Sequence, residues 1–210
     1  MRIGILGTGN MADALGTQWA RSGHEVMVSG RDPVTTAALA GRMTAAGGSA
    51  VLPGTWAEAA AFGDVVMVAV LEPGLEDVLT AAGPALRGKP LIDVTNQPQT
   101  FDVTRPIARL VADLTGAHVV KAFNLCHVDV WRMTPPVFDG RPLAVPLCGD
   151  DPDALSRVRA LVTDLGCTPL DGGGLDRAVL LEATAVFVIG LWFAGADAQA
   201  ILTPGEFAGV

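Results

Sequence analysis

The first sixteen residues, MRIGILGTGNMADALG, join a short apolar strand to a helix through a glycine turn, with no linker between them. Arg2–Leu6 predicts the strand. Gly7 permits a tight turn, Gly9 lets the backbone approach a pyrophosphate, and Ala12 allows the helix to pack closely on a sheet. A second strand follows at the spacing of about 20 residues that dinucleotide-binding folds use. This pattern therefore predicts a phosphate-binding turn at the start of a doubly wound sheet.

Strand and helix patterns alternate along the rest of the chain. The further predicted strands are residues 24–29, 50–52, 64–71, 90–93, 118–122, 143–148 and 167–170. The predicted helices are residues 11–22, 33–46, 55–61, 75–86, 105–114, 152–165 and 175–193. Repeated βα units favour an α/β, doubly wound, mainly parallel sheet with helices on both faces. We expect an NADP-binding Rossmann domain over residues 1–142, and a small C-terminal α/β extension over residues 143–210 that completes the substrate site.

Composition narrows the classes of function. Half of the residues are hydrophobic and 17% are charged, which excludes a disordered chain. The net charge of −8 comes without a basic stripe, so nucleic acid is not an expected partner. The longest apolar run, residues 184–196, is shorter than the roughly 20 residues of a membrane span. Because Met1 leads directly into a strand, we expect no signal peptide and a cytoplasmic location.

The three cysteines are widely spaced and each has apolar neighbours. Cys126, Cys148 and Cys167 lack the spacing of metal ligands, so no metal site is expected. Reduced thiols in the core of a cytoplasmic protein explain them best.

The end of the second strand indicates which dinucleotide the turn binds. An NAD site places Asp or Glu there to accept the ribose 2′-hydroxyl, whereas this chain has Ser29, Gly30 and Arg31. A guanidinium can hold a 2′-phosphate through paired charge-assisted hydrogen bonds, and the Ser29 hydroxyl is a further donor. Asp32 brings a negative charge next to that phosphate. NADP(H) is the preferred cofactor.

These motifs give the chain a resemblance to the coenzyme F-420 (deazaflavin):NADP oxidoreductase family, over nearly its whole length. The resemblance is carried by MRIGILGTGNMA, by VSGR after the second strand, and by VVKAFN at residues 119–124. The segments VPLCGDD (145–151) and PLDGGGLDRAVLLE (169–182) are the most specific to the family. The resemblance implies hydride transfer between NADP(H) and a flat second molecule, by a protein that assembles as a homodimer.

The resemblance also implies positions for the cofactor. The pyrophosphate would lie against Thr8, Gly9, Asn10 and Met11, and the 2′-phosphate against Ser29 and Arg31. Ala69, Val70 and Leu71 would line the nicotinamide ribose. Ala122 would approach the nicotinamide, with Thr95 and Asn96 nearby. These positions follow strands, which agrees with the rule that ligands bind beyond the carboxyl ends of strands in such sheets.

Candidates for acid–base work are less defined. His127 could exchange a proton near neutral pH or simply bond to loop backbone, and Asn124 could orient a carboxamide or cap the loop. Lys121 alternates with apolar neighbours, which predicts a side chain that points to water. Glu182, a lone charge in an apolar helix, would either bond to loop backbone or line the substrate pocket. Asp150 and Asp151 are predicted to cap a helix rather than to act as paired acids.

The sequence therefore predicts an NADPH-dependent oxidoreductase with a small-molecule acceptor, and coenzyme F-420 is the acceptor that the resemblance implies. An imine or ketone reductase of a small metabolite is an alternative, because Asp32, Asn124 and a long proline-rich loop depart from the family pattern. A non-catalytic NADP(H) sensor is a second alternative. The apolar helix at residues 175–193 is predicted to bury its surface against a second subunit.

Overall fold

A computed structural model describes residues 1–97 and 101–201. Its strands are β1 (Arg2–Leu6), β2 (Glu25–Ser29), β3 (Val51–Gly54), β4 (Val65–Val68), β5 (Pro90–Asp93), β6 (His118–Lys121), β7 (Val137–Phe138), β8 (Arg141–Pro142), β9 (Ala144–Gly149) and β10 (Thr168–Gly173). Its α-helices are α1 (Asn10–Arg21), α2 (Pro33–Gly47), α3 (Trp56–Phe62), α4 (Leu75–Ala82), α5 (Ile107–Thr115), α6 (Pro152–Asp164) and α7 (Ala178–Phe193).

Eight of these strands form one sheet in the order β10-β9-β6-β5-β4-β1-β2-β3, and β7 pairs with β8 in a separate hairpin. The neighbours from β3 to β6 all run parallel, as does the β9–β10 pair. Only the β6–β9 pair within this sheet is antiparallel. The predicted α/β class, doubly wound and mainly parallel, is confirmed.

The reversal at β9 has a simple cause. The connection from β6 to β9 contains a 3₁₀ turn at Val128–Arg132 and the small hairpin, and no α-helix crosses the sheet between them. A chain that does not cross back over the sheet enters the next strand from the same edge, so that strand runs in the opposite direction. Strands β9 and β10 thus extend the same sheet, and the predicted boundary at residue 142 stays a prediction.

Helices cover both faces of the sheet. One buried cluster joins the strands to α1, α2 and α6, and the other joins them to α3, α4 and α5 and to Ala178 at the start of α7. Strand β4 (VVMV) is buried at every residue, as expected for a strand covered on both faces. This two-sided packing leaves the carboxyl ends of the central strands as the place where loops can form a cleft.

Most predicted elements lie within a few residues of the observed ones. The predicted strand at residues 64–71 ends earlier, at Val68, because the next residues leave the sheet. Asp151 caps α6 by accepting a hydrogen bond from the Ala154 amide, so the predicted capping role is confirmed for Asp151. Asp150 does not cap α6, because its carboxylate accepts a hydrogen bond from the Leu175 amide in a later segment. The cysteines are free, and burial raises the pKa of Cys126 and Cys167 to about 11. Within the described ranges, none of the helices has the length and apolar character needed to cross a membrane.

Candidate functional site

A cleft of about 890 Å³ opens at the carboxyl ends of β1, β2, β4 and β5. Twelve of the predicted cofactor-binding residues line it: Gly7, Thr8, Gly9, Asn10, Met11, Gly30, Arg31, Ala69, Val70, Leu71, Thr95 and Asn96. Since β2 and β5 lie on opposite sides of β1 and β4 in the sheet, Arg31 and Thr95 mark the two ends of the cleft.

The glycine turn is held against the second strand. The Gly7 amide donates to the Ser29 carbonyl at 2.9 Å, and Gly7 has a φ of 137°, a conformation that favours glycine. A Cβ atom at Gly7 would lie 2.2 Å from the Ala69 carbonyl oxygen. A Cβ atom at Gly30 would lie 2.6 Å from the Thr8 methyl group. Gly7 is therefore required for the first turn to approach the loop after β4, and Gly30 lets the loop after β2 pack closely against Thr8.

Helix α1 begins at this turn with its first amides open. Its N-cap residue is Gly9, and in the described part of the chain no side chain caps the helix there. The helices α2, α3 and α6 are capped by their own Asp32, Thr55 and Asp151 side chains. An uncapped helix N-terminus that borders a cleft offers N–H groups and a partial positive charge to an anion. This arrangement fits a pyrophosphate.

Arg31 lies at the β2 end of the cleft, is exposed, and has no hydrogen bond or ion pair within the described residues. The neighbouring Asp32 is committed to helix α2. Its carboxylate accepts hydrogen bonds from the Thr35 hydroxyl, from the Thr35 amide at 3.0 Å and from the Val34 amide at 3.2 Å. These bonds hold the pKa of Asp32 below its usual value. The guanidinium of Arg31 remains available for an anion.

At the β5 end, the cleft is backed by a buried ionic cluster. The Lys121 ammonium lies 3.0 Å from Asp93 Oδ2 and 3.3 Å from Glu182 Oε1, and it donates to the Thr95 carbonyl at 2.5 Å. Asp93 and Lys121 are fully buried and Glu182 is 2% exposed. Glu182 accepts hydrogen bonds from the amides of Ile107 and Ala108, both at 3.0 Å, and so caps α5.

The geometry of this cluster tests the predictions made for Lys121 and Glu182. The expectation that Lys121 points to water is wrong, because two carboxylates and a carbonyl surround its ammonium inside the protein. Of the two roles predicted for Glu182, hydrogen bonding to backbone is the one that the structure shows. Alternation along a strand indicates a face of the sheet, but here helix α5 packs on that face and Glu182 of α7 reaches Lys121 as a partner.

Four other predicted site residues lie off the lining of the cleft. Ser29 is fully buried and its hydroxyl donates to the Ile5 carbonyl at 2.8 Å, so it is directed into the sheet and away from a 2′-phosphate. Ala122 is also fully buried. Asn124 donates to Asn96 Oδ1 and to the Leu181 carbonyl, both at 3.1 Å.

His127 is 67% exposed, and its Nδ1 accepts a hydrogen bond from the Asp129 amide at 3.4 Å. The catalytic roles of Asn124 and His127 stay predictions.

Six further described residues line the cleft although the sequence did not predict them. They are Trp56, Pro73, Gly74, Asp77, Val78 and Val94. Trp56 and Val94 follow strands within two residues, so the rule that located Ala69 and Thr95 also applies to them. The other four lie in the turn and the helix α4 that follow β4. The sequence around these six residues contains no distinctive motif like the glycine pattern of the first turn, so it gave no local signal for them.

Three comparisons with known proteins agree with this geometry. Residues 2–97 match the family model described as NADP oxidoreductase coenzyme F420-dependent. The metalloreductase STEAP3 of Rattus norvegicus is 31% identical over 195 residues, which cover 91% of this chain and 38% of that protein. The chain thus spans well under half the length of this curated relative.

Among solved structures, a protein from Arthrobacter sp. FB24 provisionally assigned as an F420-dependent NADP-reductase is 27% identical, with a TM-score of 0.79. The match covers 92% of this chain and 95% of that protein. An imine reductase of Streptomyces aurantiacus is 20% identical with a TM-score of 0.68, and the match covers 93% of this chain and 64% of that enzyme. At this identity the second likeness shows the fold alone.

Proposed function

We infer that the chain is an NADP(H)-dependent reductase, from the premise that residues 2–97 belong to the NADP oxidoreductase coenzyme F420-dependent family. The observation that carries the proposal is the cleft itself, which has an open helix N-terminus at its centre and, at one end, a guanidinium that has no partner among the described residues. A dinucleotide with a pyrophosphate and a 2′-phosphate is complementary to those two features.

When bound, NADPH supplies a hydride to the acceptor. The residues of this chain bind and orient it. The first amides of α1 hold the pyrophosphate, and Arg31 holds the 2′-phosphate. Val94, Thr95 and Asn96 lie at the opposite end, where the nicotinamide is placed by this orientation. Hydride transfer needs a close, dry pair of rings more than it needs an acid or a base, and this end offers apolar and uncharged polar groups.

Coenzyme F-420 is the acceptor we propose first, because the family description and the assignment of the Arthrobacter protein both name it. The electrostatics favour a second candidate, an imine or ketone of a small metabolite. Arg31 is the one cation among the described residues that line the cleft, and the 2′-phosphate occupies it in our proposal. Arg132, whose guanidinium reaches the first turn of α1 but does not line the cleft, is paired with Asp13 at 3.5 Å and with Asp129 at 2.8 Å. An acceptor with an acidic tail therefore finds no further unpaired cation among the described residues that line the cleft.

One assay separates these candidates. The purified protein is mixed with NADPH and either oxidised coenzyme F-420 or a panel of cyclic imines and ketones, and the absorbance of NADPH is followed. Turnover with F-420 supports the first acceptor, and turnover with imines or ketones alone supports the second. NADPH binding without any turnover contradicts both and favours a sensor.

We also propose that the chain forms a homodimer through α7. Apart from Glu182 and Thr184 this helix carries no polar side chain, yet Leu180, Phe187, Trp192 and Phe193 are between 45% and 89% exposed. Helices of this kind are usually covered, and Leu180 and Phe187, seven residues apart, share one face. Sedimentation should give a dimer for the wild type and a monomer for Phe187→Glu; a wild-type monomer at micromolar concentration would refute the proposal.

The location that fits this proposal is the cytoplasm, where the cysteines stay reduced. Fractionation of the source cells, with an antibody to the protein, tests that location.

A further inference from the structure

Thr95 stands where the buried ionic cluster meets the cleft. It follows β5 by two residues, lines the cleft, and is 4% exposed. Its amide donates to Asp93 Oδ1 at 2.8 Å, and its hydroxyl donates to the same oxygen at 2.5 Å. The distance of the second bond is typical of a hydroxyl bound to a carboxylate.

The hydrogen-bond capacity of these groups can be counted. A threonine hydroxyl has one proton and two acceptor lone pairs, and the proton is already given to Asp93. Any further partner of this hydroxyl must therefore be a donor. The hydroxyl cannot rotate to donate to a ligand without losing the bond to a buried carboxylate, which makes its polarity fixed.

Lys121 holds the carboxylate that fixes this polarity. Its three N–H donors face Asp93 Oδ2, Glu182 Oε1 and the Thr95 carbonyl, so no donor is left over. Lys121 thus acts on Thr95 in two ways. It donates directly to the Thr95 carbonyl, and it binds Asp93, which in turn accepts from the Thr95 hydroxyl and amide. Two carboxylates share one ammonium, and the amides at the start of α5 balance the remaining negative charge at Glu182.

The side chain of Asn96, the next residue in the cleft wall, is held in a similar way. Its amide nitrogen donates to the Asn124 carbonyl at 2.8 Å, and its oxygen accepts from Asn124 Nδ2 at 3.1 Å. The wall at this end of the cleft is therefore set by buried contacts with β6 and α7, and it presents an acceptor of fixed polarity at Thr95.

We propose that Lys121 is a positioning residue that, through Asp93, holds the Thr95 hydroxyl as a hydrogen-bond acceptor for the nicotinamide half of NADP(H). The proposal rests on the proposed function. The donors available on that half of the cofactor are the carboxamide N–H groups and the ribose hydroxyls. The adenosine half carries neither of these groups to this end of the cleft.

The test compares two ligands by isothermal titration: NADP⁺, and adenosine 2′,5′-bisphosphate, which lacks the nicotinamide half. Thr95→Val removes the acceptor and should weaken NADP⁺ about tenfold, as expected for one lost hydrogen bond, while the bisphosphate binds as before. Thr95→Ser keeps the hydroxyl and should restore the affinity for NADP⁺. Thr115→Val removes another buried hydroxyl, which donates to the Val111 carbonyl at 2.7 Å, and should change stability without changing the ratio of the two affinities.

Lys121→Met should lower the affinity for NADP⁺ and spare the bisphosphate. Because this variant leaves two buried carboxylates without their cation, the double variant Lys121→Met, Glu182→Gln is made as well, since it keeps the net charge of the cluster. A selective loss of NADP⁺ affinity in the double variant supports the positioning role. Equal loss for both ligands, or no loss in the double variant, overturns it.

A third ligand identifies the donor. The 3-acetylpyridine analogue of NADP⁺ has no carboxamide N–H, so an effect of Thr95→Val that disappears with this analogue assigns the carboxamide, and an effect that persists assigns a ribose hydroxyl. Unchanged NADP⁺ affinity in Thr95→Val overturns the inference. A wild type that binds neither NADP⁺ nor the bisphosphate instead refutes the proposed function.

Discussion

Helices α1 and α5 both begin at the carboxyl edge of the sheet, yet their first turns are completed in opposite ways. The first turn of α1 follows Gly9 and borders the cleft without a side-chain cap from the described residues. The first turn of α5 follows Pro106, and its amides are bound by Glu182, which comes from a helix 75 residues further along the chain. One N-terminus is closed by a side chain of the protein, and the other stays open at the cleft.

This difference shows that the chain satisfies the first amides of α5 with its own carboxylate and leaves those of α1 accessible from the cleft. Glu182 joins α7 to α5 and, through Lys121, to the ends of β5 and β6. Its carboxylate occupies the position at α5 that a phosphate occupies at α1 in our proposed function. The amides of a helix start attract either kind of anion. What distinguishes the two sites is whether the chain itself supplies the charge.

The strongest way to break the comparison is to remove the cap of α5. Glu182→Ala leaves the buried amides of Ile107 and Ala108 without partners and takes one carboxylate from Lys121. We expect the free energy of unfolding to fall by about 3 kcal/mol or more. Urea unfolding followed by circular dichroism measures this. Leu180→Ala, an exposed change on the same helix, should cost far less at a protein concentration where the chain is monomeric, and similar losses for both would contradict the role of Glu182.

The converse change gives α1 a cap of its own. A Cβ atom at Gly9 would meet no atom of the described chain within 4 Å, and the φ of −83° suits any residue. Gly9→Asp should stabilise the ligand-free protein by a few tenths of a kcal/mol, because Asp is a better N-cap than Gly. The same carboxylate should repel the pyrophosphate and lower NADPH affinity by more than about 100-fold, since like charges in contact cost several kcal/mol.

Gly9→Ala is the matched control, because it adds the Cβ atom without the charge. Fluorescence titration of NADPH compares the two variants. Equal affinity in Gly9→Asp and Gly9→Ala would show that the first turn of α1 does not bind the pyrophosphate.

The next change tests the anion site that we propose at Arg31. Arg31→Ala should weaken NADPH binding by roughly 1.5–3 kcal/mol and leave NADH almost unchanged, because only NADPH carries the 2′-phosphate. The ratio of the two dissociation constants is the measurement. Arg42→Ala, an exposed arginine of α2, should leave that ratio as it is. Equal weakening of both cofactors by Arg31→Ala would remove the phosphate assignment.

Local patterns account for what the sequence could predict. The strand Pro90–Asp93, the turn from Gly7 to Met11 and the position of Arg31 each depend on neighbouring residues, and the structure places them as the pattern indicated. Lys121 depends on Asp93, 28 residues away, and on Glu182, which lies on α7. No short-range pattern encodes such a contact, so its burial and its link to Thr95 became visible only in the folded chain. The direction of β9 was hidden for the same reason, because it follows from the path of a loop.

The smallest main effect expected, a loss in the free energy of unfolding, concerns α6, whose N-terminus is capped by the side chain of its own N-cap residue. Asp151 accepts a hydrogen bond from the Ala154 amide at 2.8 Å at the start of α6. Asp151→Ala should lower the free energy of unfolding by about 1 kcal/mol, as N-cap losses do, and leave NADPH affinity unchanged. Asp153→Ala removes an exposed carboxylate paired with Arg157 in the same turn, and it should cost less than about 0.5 kcal/mol. If Asp151→Ala instead weakened NADPH binding, the division between helices closed by the chain and the one left open to the ligand would not hold.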